Sequence, residues 1–249
     1  PAPTAAERAT NRPYETPNVR VGLHTTNADV PVTVQWWRSV GSTHTAYAGE
    51  VFLDELAERA KRDPVEYRLA MLADHPRHAA VLKLAADKAG WGEALVHVDG
   101  KRRGRGVALH ESFRSYVAQV VDVSVEDDGS YSVDRVVCAV DCGVAVNPDV
   151  VKAQMEGGIG FALAAALYGE ITIEDGVVQQ SNYHDYQVLR MPQMPVVEVH
   201  IMPSAEAPSG VGEPGVPPLA PALANALYSA TGKRLRDLPL GPKVAVYNG

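Results

Sequence analysis

The sequence predicts an α+β fold, in which helices and strands mix without a regular alternation of strand and helix. Residues 44–89 follow a helical period, and residues 105–140 switch to the two-residue period of strands. Residues 147–167 then return to a helical pattern, as does the run after Pro217. Because strands and helices come in blocks, this order favours α+β over a doubly wound parallel sheet.

Composition and period divide the chain into three parts. Residues 1–17 are rich in Pro, Ala and Thr and predict a flexible lead-in. Residues 18–103 are expected to be mostly helical, although residues 19–25 alternate apolar with polar positions, as a half-buried strand does. Residues 104–249 form the α+β part.

Capping signals place the predicted helices. Asp63 followed by Pro64 marks a helix start, and Gly90 and Gly232 each mark a helix end. Asn147, also followed by proline, opens the longest helix. The predicted helices cover residues 44–61, a segment that starts at 63, residues 79–89, residues 147–167 and the run from 218 to 231.

Short alternating segments predict the strands, and the Asp127-Asp128-Gly129 turn joins two of them. The predicted strands cover residues 105–110, 116–125, 131–140, 170–173 and 196–201. The basic run at residues 101–105 is assigned to a solvated, Gly-rich loop or a subunit contact.

Size and charge restrict the possible functions. A chain of 249 residues can bury a sizeable core in one or two domains. A net charge of −7 without a basic stripe argues against a nucleic-acid partner. No apolar run reaches the ~18 residues of a membrane span. The chain starts at Pro1 without a signal-peptide core, so we expect it to begin inside a longer protein or to follow processing.

The cysteines and histidines show no metal-binding pattern. Cys138 and Cys142 are too few for an iron–sulfur cluster and are expected to be buried free thiols. The histidines lack the spacing of a ligand set, so no metal held by protein side chains is expected. The histidines considered are His24, His75, His78, His110 and His184.

A loop near the C-terminus carries the most informative carboxylate. Glu213 lies between glycines and prolines, in the run from Gly210 to Pro218, just ahead of an apolar helix. Glycine lets the backbone approach a ligand, and proline fixes the flanking turns. A Glu held in this way has little freedom and little water, which suits a general base. An ordinary surface turn is the alternative, since Glu is common there.

An ordered set of sequence blocks extends over about residues 12–243. The blocks are WWRSVG at 36–41, YAGEVFLDEL at 47–56, DPVEYR at 63–68, HESF at 110–113, VDCG at 140–143, NP at 147–148, QMEG at 154–157 and GVGEPG at 210–215. Together they resemble the large subunits of the molybdenum hydroxylases, the xanthine dehydrogenase and aldehyde oxidoreductase superfamily. Within that superfamily the sequence is most similar to the branch that contains the β-subunit of isoquinoline 1-oxidoreductase.

This resemblance implies the C-terminal molybdopterin-binding portion of such a large subunit. It implies that Glu213 acts as the base toward a water-derived ligand of molybdenum, and it places Gly212 beside the cofactor. Gln154 is implied to hydrogen-bond the pterin or an oxo ligand of the metal, since an amide both donates and accepts. A solvent-facing helix glutamine is the alternative for Gln154.

The loop at residues 37–41 resembles the family's block of an aromatic residue, Arg, Gly, any residue and Gly. The resemblance implies that Arg38, Ser39 and Gly41 border the pterin, with Ser39 in place of the more usual glycine. Val40 stands where xanthine-type enzymes place an aromatic residue against the substrate, which implies a pocket for something other than a purine. An arginine in an ordinary surface loop is the alternative for Arg38.

Further cofactor segments of the family, a Gly-Gln-Gly type and an upstream Gln motif, do not occur in the sequence. The resemblance therefore implies that this chain is about the C-terminal third of the subunit, either as a separate polypeptide or as a cleaved product. It also implies that the remaining portion is a separate companion chain, which completes the molybdenum site. It also implies molybdopterin, in the cytosine dinucleotide form, with molybdenum held by the pterin dithiolene. A small subunit with [2Fe–2S] clusters is expected to take the electrons onward.

The reaction implied is hydroxylation of an N-heteroaromatic or aldehyde substrate with oxygen derived from water. The alternative is a non-catalytic chain that keeps the fold and supports assembly. A carboxylate-based hydrolase would need a second carboxylate opposite Glu213. Glu206 and Asp237 are nearby in sequence but belong to no motif.

Overall fold

Four strands form the central sheet of the computed structural model, which describes residues 12–22, 35–96 and 98–244. The strands in chain order are β1 (Lys101–Ser112), β2 (Ser115–Glu126), β3 (Tyr131–Asp141), β4 (Ile173–Glu174), β5 (Val177–Val178) and β6 (Val196–Ile201). The sheet order is β1-β2-β3-β6, with the first three strands antiparallel and β6 parallel to β3. β4 and β5 form a separate two-residue hairpin.

Helices cover both faces of the sheet. They are α1 (Ser42–Arg59), α2 (Pro64–Ala70), α3 (Pro76–Ala89), α4 (Pro148–Tyr168) and α5 (Leu219–Thr231). Val117 and Val121 of β2 pack in the core formed with α4 and α5, whereas Ala118 and Val120 pack in the core formed with α2 and α3. Because both faces are buried, β2 is almost continuously buried along its length.

The capping residues lie where the sequence predicts them. The Asp63 carboxylate accepts hydrogen bonds from two amides of the first turn of α2, and the Asn147 side chain does the same for α4. Gly90 and Gly232 follow α3 and α5 in the left-handed conformation. Each of these four helices therefore has at least one end set by a residue that can be recognised locally.

The prediction of a loop at residues 101–105 is wrong, because β1 begins at Lys101. A Cβ atom on Gly104 would lie 2.1 Å from the Ala226 carbonyl oxygen, and one on Gly106 would lie 2.2 Å from the Ala226 amide nitrogen. These glycines therefore allow α5 to pack against the strand and do not mark a loop. Arg105 of the same run forms an ion pair with Asp122 on β2.

Two other predicted strands differ from the structure. Of residues 170–173, only Ile173 belongs to a strand, because Asp175 and Gly176 both adopt positive φ and set a tight hairpin further along the chain. Residues 19–22 lie outside helices and strands, and residues 23–25 lie outside the described residues. Alternation alone does not make a strand where no neighbouring strand offers hydrogen bonds.

Part of the predicted lead-in contacts the helical layer. The Tyr14 hydroxyl donates to Glu50 Oε1 on α1 at 2.7 Å, and the Glu15 amide donates to the Met71 carbonyl at 3.0 Å. Residues 12–17 are thus held by α1 and the end of α2, while residues 1–11 lie outside the described residues.

α4 is the one helix among the described residues that is long and apolar enough to cross a membrane, although the sequence has no uninterrupted apolar run of that length. Met155, Ile159 and Leu163 of α4 are fully buried in the core with α5. Packing within the protein therefore accounts for the apolar residues on the buried face of α4. Cys138 and Cys142 are buried free thiols, as expected, and burial raises the pKa of Cys138 to about 12.

Candidate functional site

Three segments distant in sequence meet at the predicted site: the loop before α1, the helix α4 and the loop before α5. Arg38 joins them, because its Nε donates to the Gly212 carbonyl at 2.9 Å while its Nη2 donates to Gln154 Oε1 at 3.3 Å. Nη2 also donates to the Gly212 carbonyl. The planar guanidinium group suits this use, since its donors are fixed in a fork.

Ser39 contacts the predicted catalytic carboxylate twice. The Ser39 amide donates to Glu213 Oε2 at 2.6 Å, and the Ser39 hydroxyl donates to the Glu213 main-chain carbonyl at 2.8 Å. Ser39 is fully buried, and Glu213 is half-buried. Among the described residues, no hydrogen bond reaches the other carboxylate oxygen, Oε1, of Glu213. One oxygen of the carboxylate is fixed, and the other remains available as a hydrogen-bond acceptor.

A left-handed turn directs the Ser39 amide at Glu213. Ser39 and Val40 adopt φ values of 76° and 51°, a region that glycine enters easily and a β-branched residue rarely does. The turn is closed by hydrogen bonds from Val40 N to Trp37 O at 2.8 Å and from Ser42 N to Ser39 O at 3.0 Å. The positive φ at Ser39 gives a physical reason for the glycine usual at this position in the family that the sequence resembles. Gly41 is buried at the start of α1.

Close backbone contacts fix the loop that carries Glu213. A Cβ atom on Gly215 would lie 3.2 Å from the Met155 carbonyl oxygen, and one on Gly158 would lie 3.3 Å from the Gly215 carbonyl carbon. Gln119 Nε2 on β2 donates to the Gly215 carbonyl at 2.8 Å. The loop is therefore held by both α4 and the sheet.

Sequence reasoning missed one member of the site, Phe161. Its ring lies 4.6 Å from that of Trp37, and the Arg38 guanidinium carbon lies 5.5 Å from its centre. Phe161 follows Gln154 by seven residues, or two helical turns, so both lie on one face of α4. That spacing is the signal that could have found it.

The predicted site lies outside two cavities of the protein. Two cavities of about 500 Å³ and about 280 Å³ occur elsewhere, near residues 12–22 and α1 and near the start of α3. The residues that line these cavities do not include Arg38, Ser39, Gln154, Gly212 or Glu213. The described part of the chain contains no group of three or more His, Cys, Asp or Glu side chains placed to hold a metal ion.

Residues 39–195 match the molybdopterin cofactor-binding domain family, and the chain belongs to that family. It is 39% identical over 241 residues to the β-subunit of isoquinoline 1-oxidoreductase from Brevundimonas diminuta, a match that covers 93% of this chain and 29% of the relative. It is 34% identical over 250 residues to one subunit of the nicotinate dehydrogenase of Pseudomonas putida (strain KT2440), covering 94% of this chain and 21% of the relative. The chain thus spans less than a third of the length of either relative.

The fold has a counterpart among solved structures. The crystal structure of quinoline 2-oxidoreductase from Pseudomonas putida 86 superposes with a TM-score of 0.74, at 12% identity, over 83% of this chain and 52% of that chain. These comparisons confirm the predicted fold class and the resemblance to the molybdenum hydroxylases.

The residues at the site fit a pterin cofactor. Within the described part of the chain, the Gln154 side-chain nitrogen makes no hydrogen bond and so remains a donor. A Cβ atom on Gly157, one turn further along α4, would meet nothing within 4 Å. Open backbone beside a free amide donor suits the mixed donor and acceptor edge of a pterin.

Proposed function

We propose that this chain supplies the catalytic carboxylate and one wall of the cofactor site of a molybdenum hydroxylase. The proposed reaction inserts water-derived oxygen into an N-heteroaromatic or aldehyde substrate. The observation that supports it is the hydrogen-bonded cluster of Arg38, Ser39, Gln154, Gly212 and Glu213, which lie in three different segments of the chain.

Glu213 is the proposed general base. When bound, the molybdenum cofactor would supply the oxygen nucleophile and would accept the hydrogen of the broken substrate C–H bond together with its two electrons. Glu213 takes up the proton of that nucleophile on Oε1, while the Ser39 amide holds Oε2. Gln154 offers its amide to the pterin, and Arg38 holds both Gln154 and the Gly212 carbonyl in place.

The remaining parts of the enzyme are proposed from the relatives. Because the chain spans 29% and 21% of the two relatives, we propose that the part of the subunit outside this sequence provides the rest of the cofactor site. We further propose the cytosine dinucleotide form of molybdopterin and a small subunit with [2Fe–2S] clusters. Isoquinoline and nicotinate, which appear in the names of the relatives, are N-heteroaromatic compounds. Val40 is smaller than an aromatic residue and would leave more room for a substrate in the proposed pocket.

The test is the Glu213→Gln variant in the complete, cofactor-loaded assembly. Gln keeps the size of the side chain but cannot accept a proton. We expect turnover of isoquinoline, nicotinate and benzaldehyde, with a dye as electron acceptor, to fall by about 10²–10⁴-fold. Molybdenum and pterin content should stay at the wild-type level.

Glu206→Gln is the matched control, because Glu206 is exposed on the segment that leads to the same loop. This control should retain wild-type turnover. Wild-type turnover by the Glu213→Gln variant would contradict the proposed role of Glu213 as the general base. An assembly that purifies with neither molybdenum nor pterin would contradict the proposed function as part of a molybdenum hydroxylase.

A further inference from the structure

We propose that Ser39 is a positioning residue for Glu213 and that its hydroxyl fixes the loop from which the catalytic carboxylate projects. This inference rests on the proposed function of Glu213. It assigns to Ser39 a role toward the base, which differs from the role toward the cofactor that the resemblance implies.

The two hydrogen bonds of Ser39 act on different parts of the same residue. The amide holds Oε2 at 2.6 Å, which sets the direction of the carboxylate. The hydroxyl holds the Glu213 carbonyl at 2.8 Å, which sets the position of the backbone that carries it. A glycine at this position could supply the first bond but not the second, so the serine adds a restraint that depends on its side chain.

Burial makes this restraint effective. Ser39 has no exposed surface, so water does not compete for its hydroxyl group. The Glu213 carbonyl also accepts from the Val216 amide at 3.0 Å, which links the same oxygen to the turn that leads into α5. Loss of the hydroxyl would leave the loop with a weaker anchor and the carboxylate in a wider range of orientations.

The first experiment compares Ser39→Ala with wild type in the complete, cofactor-loaded assembly. Loss of one hydrogen bond that orients the base should lower kcat about fivefold. KM for isoquinoline or nicotinate and molybdenum content should stay within about twofold of the wild-type values. Ser42→Ala is the control, because Ser42 is buried three residues later and its hydroxyl makes no hydrogen bond to Glu213.

Two results would overturn the inference. One is a Ser39→Ala assembly with wild-type kcat, and the other is a fall in kcat matched by an equal loss of molybdenum, since Ser39 would then hold the cofactor. Failure of the proposed function would look different. In that case Glu213→Gln would turn over normally, whereas failure of this inference alone leaves Glu213→Gln inactive.

Amide hydrogen exchange provides a readout that does not depend on activity. We expect the Ser39 amide to exchange about tenfold faster in a Glu213→Ala assembly than in wild type, because it loses its acceptor. The Val40 amide, which donates to Trp37 O, should exchange at an unchanged rate. Equal exchange of the Ser39 amide in the two assemblies would contradict the hydrogen bond on which the inference rests.

Discussion

Val40 adopts a φ of 51° although it is β-branched, a conformation of the kind that costs ~1–3 kcal/mol. Ser39, with a φ of 76°, shares the strain. The surrounding hydrogen bonds maintain the turn, including one from the Thr43 hydroxyl to the Arg38 carbonyl at 2.9 Å. Backbone strain of this kind often occurs at functional sites, and the strained turn contacts Glu213, the proposed general base.

A second residue-scale feature is the ion pair between α3 and β3. Arg77 donates from Nε and Nη2 to the two Asp141 carboxylate oxygens, both at 2.7 Å. Burial acts to raise the pKa of Asp141, but the hydrogen bonds from Arg77 and from the Gly143 amide outweigh it and lower the pKa below its ordinary value. The pair therefore stabilises the fold only while Asp141 is ionised.

This pair predicts a pH-dependent stability difference. Because the folded pKa of Asp141 is lowered, its contribution is complete above the ordinary carboxyl pKa of about 3.9 and is lost as the pH falls through the folded value. We expect Arg77→Met to lower the free energy of unfolding by about 2 kcal/mol at pH 7, and by less below about pH 4. Urea denaturation of the wild-type and Arg77→Met proteins at several pH values measures the difference at pH 7 and its decrease at lower pH.

Arg236→Met is the control for that comparison. Arg236 pairs with Glu55, but its side chain is 65% exposed, so we expect its loss to cost under about 1 kcal/mol. A stability difference for Arg77→Met that is independent of pH would show that the charge on Asp141 does not contribute.

At the scale of elements, the packing of α5 on β1 positions the loop that carries Glu213. α5 begins at Leu219, directly after the loop that holds Glu213, so the position of the helix sets the position of the loop. Gly104 and Gly106 permit the approach, because a Cβ atom on either residue would clash with the α5 backbone.

This packing predicts that Gly106→Ala is strongly destabilising. Its Cβ atom would lie 2.2 Å from the Ala226 amide nitrogen and 2.3 Å from the Ala222 carbonyl oxygen, so α5 must shift. We expect a loss of about 3 kcal/mol in the free energy of unfolding, measured by urea denaturation.

Gly49→Ala serves as the matched control, because Gly49 lies within α1 and a Cβ atom there would meet nothing within 4 Å. We expect Gly49→Ala to stabilise the protein by about 0.5–1 kcal/mol, since alanine favours helix. If the two substitutions had similar effects, close packing of α5 would not be the reason for Gly106.

Local sequence signals predicted where helices and strands lie better than they predicted which of these elements pack against each other. Caps such as Asp63 and Asn147 act within a few residues, so the sequence reveals them. The sequence did not predict that β1 starts at Lys101. A glycine such as Gly104 is compatible both with a loop and with a strand against which a helix packs closely. The prediction of a strand at residues 170–173 was wrong. The position of the hairpin is set by the Asp175-Gly176 turn and not by the alternation of apolar and polar residues.

At the scale of the whole molecule, the fold joins segments that are far apart in sequence. Arg38 and Gly212 are separated by 174 positions, and Arg38 and Gln154 by 116. Resemblance to a family implied roles for individual residues, and the structure brings five of them, Arg38, Ser39, Gln154, Gly212 and Glu213, into one cluster. The contacts within the cluster could not be predicted, because they depend on how α4 and α5 pack against the sheet.

The measurement that tests the central claim most directly is a crystal structure of the complete, cofactor-loaded assembly. We expect a Glu213 carboxylate oxygen within hydrogen-bonding reach, about 2.6–3.2 Å, of a ligand of the molybdenum, with the Ser39 amide on the other oxygen. A Glu213 side chain that faces bulk solvent, away from the pterin and the metal, would contradict the proposed role of this chain.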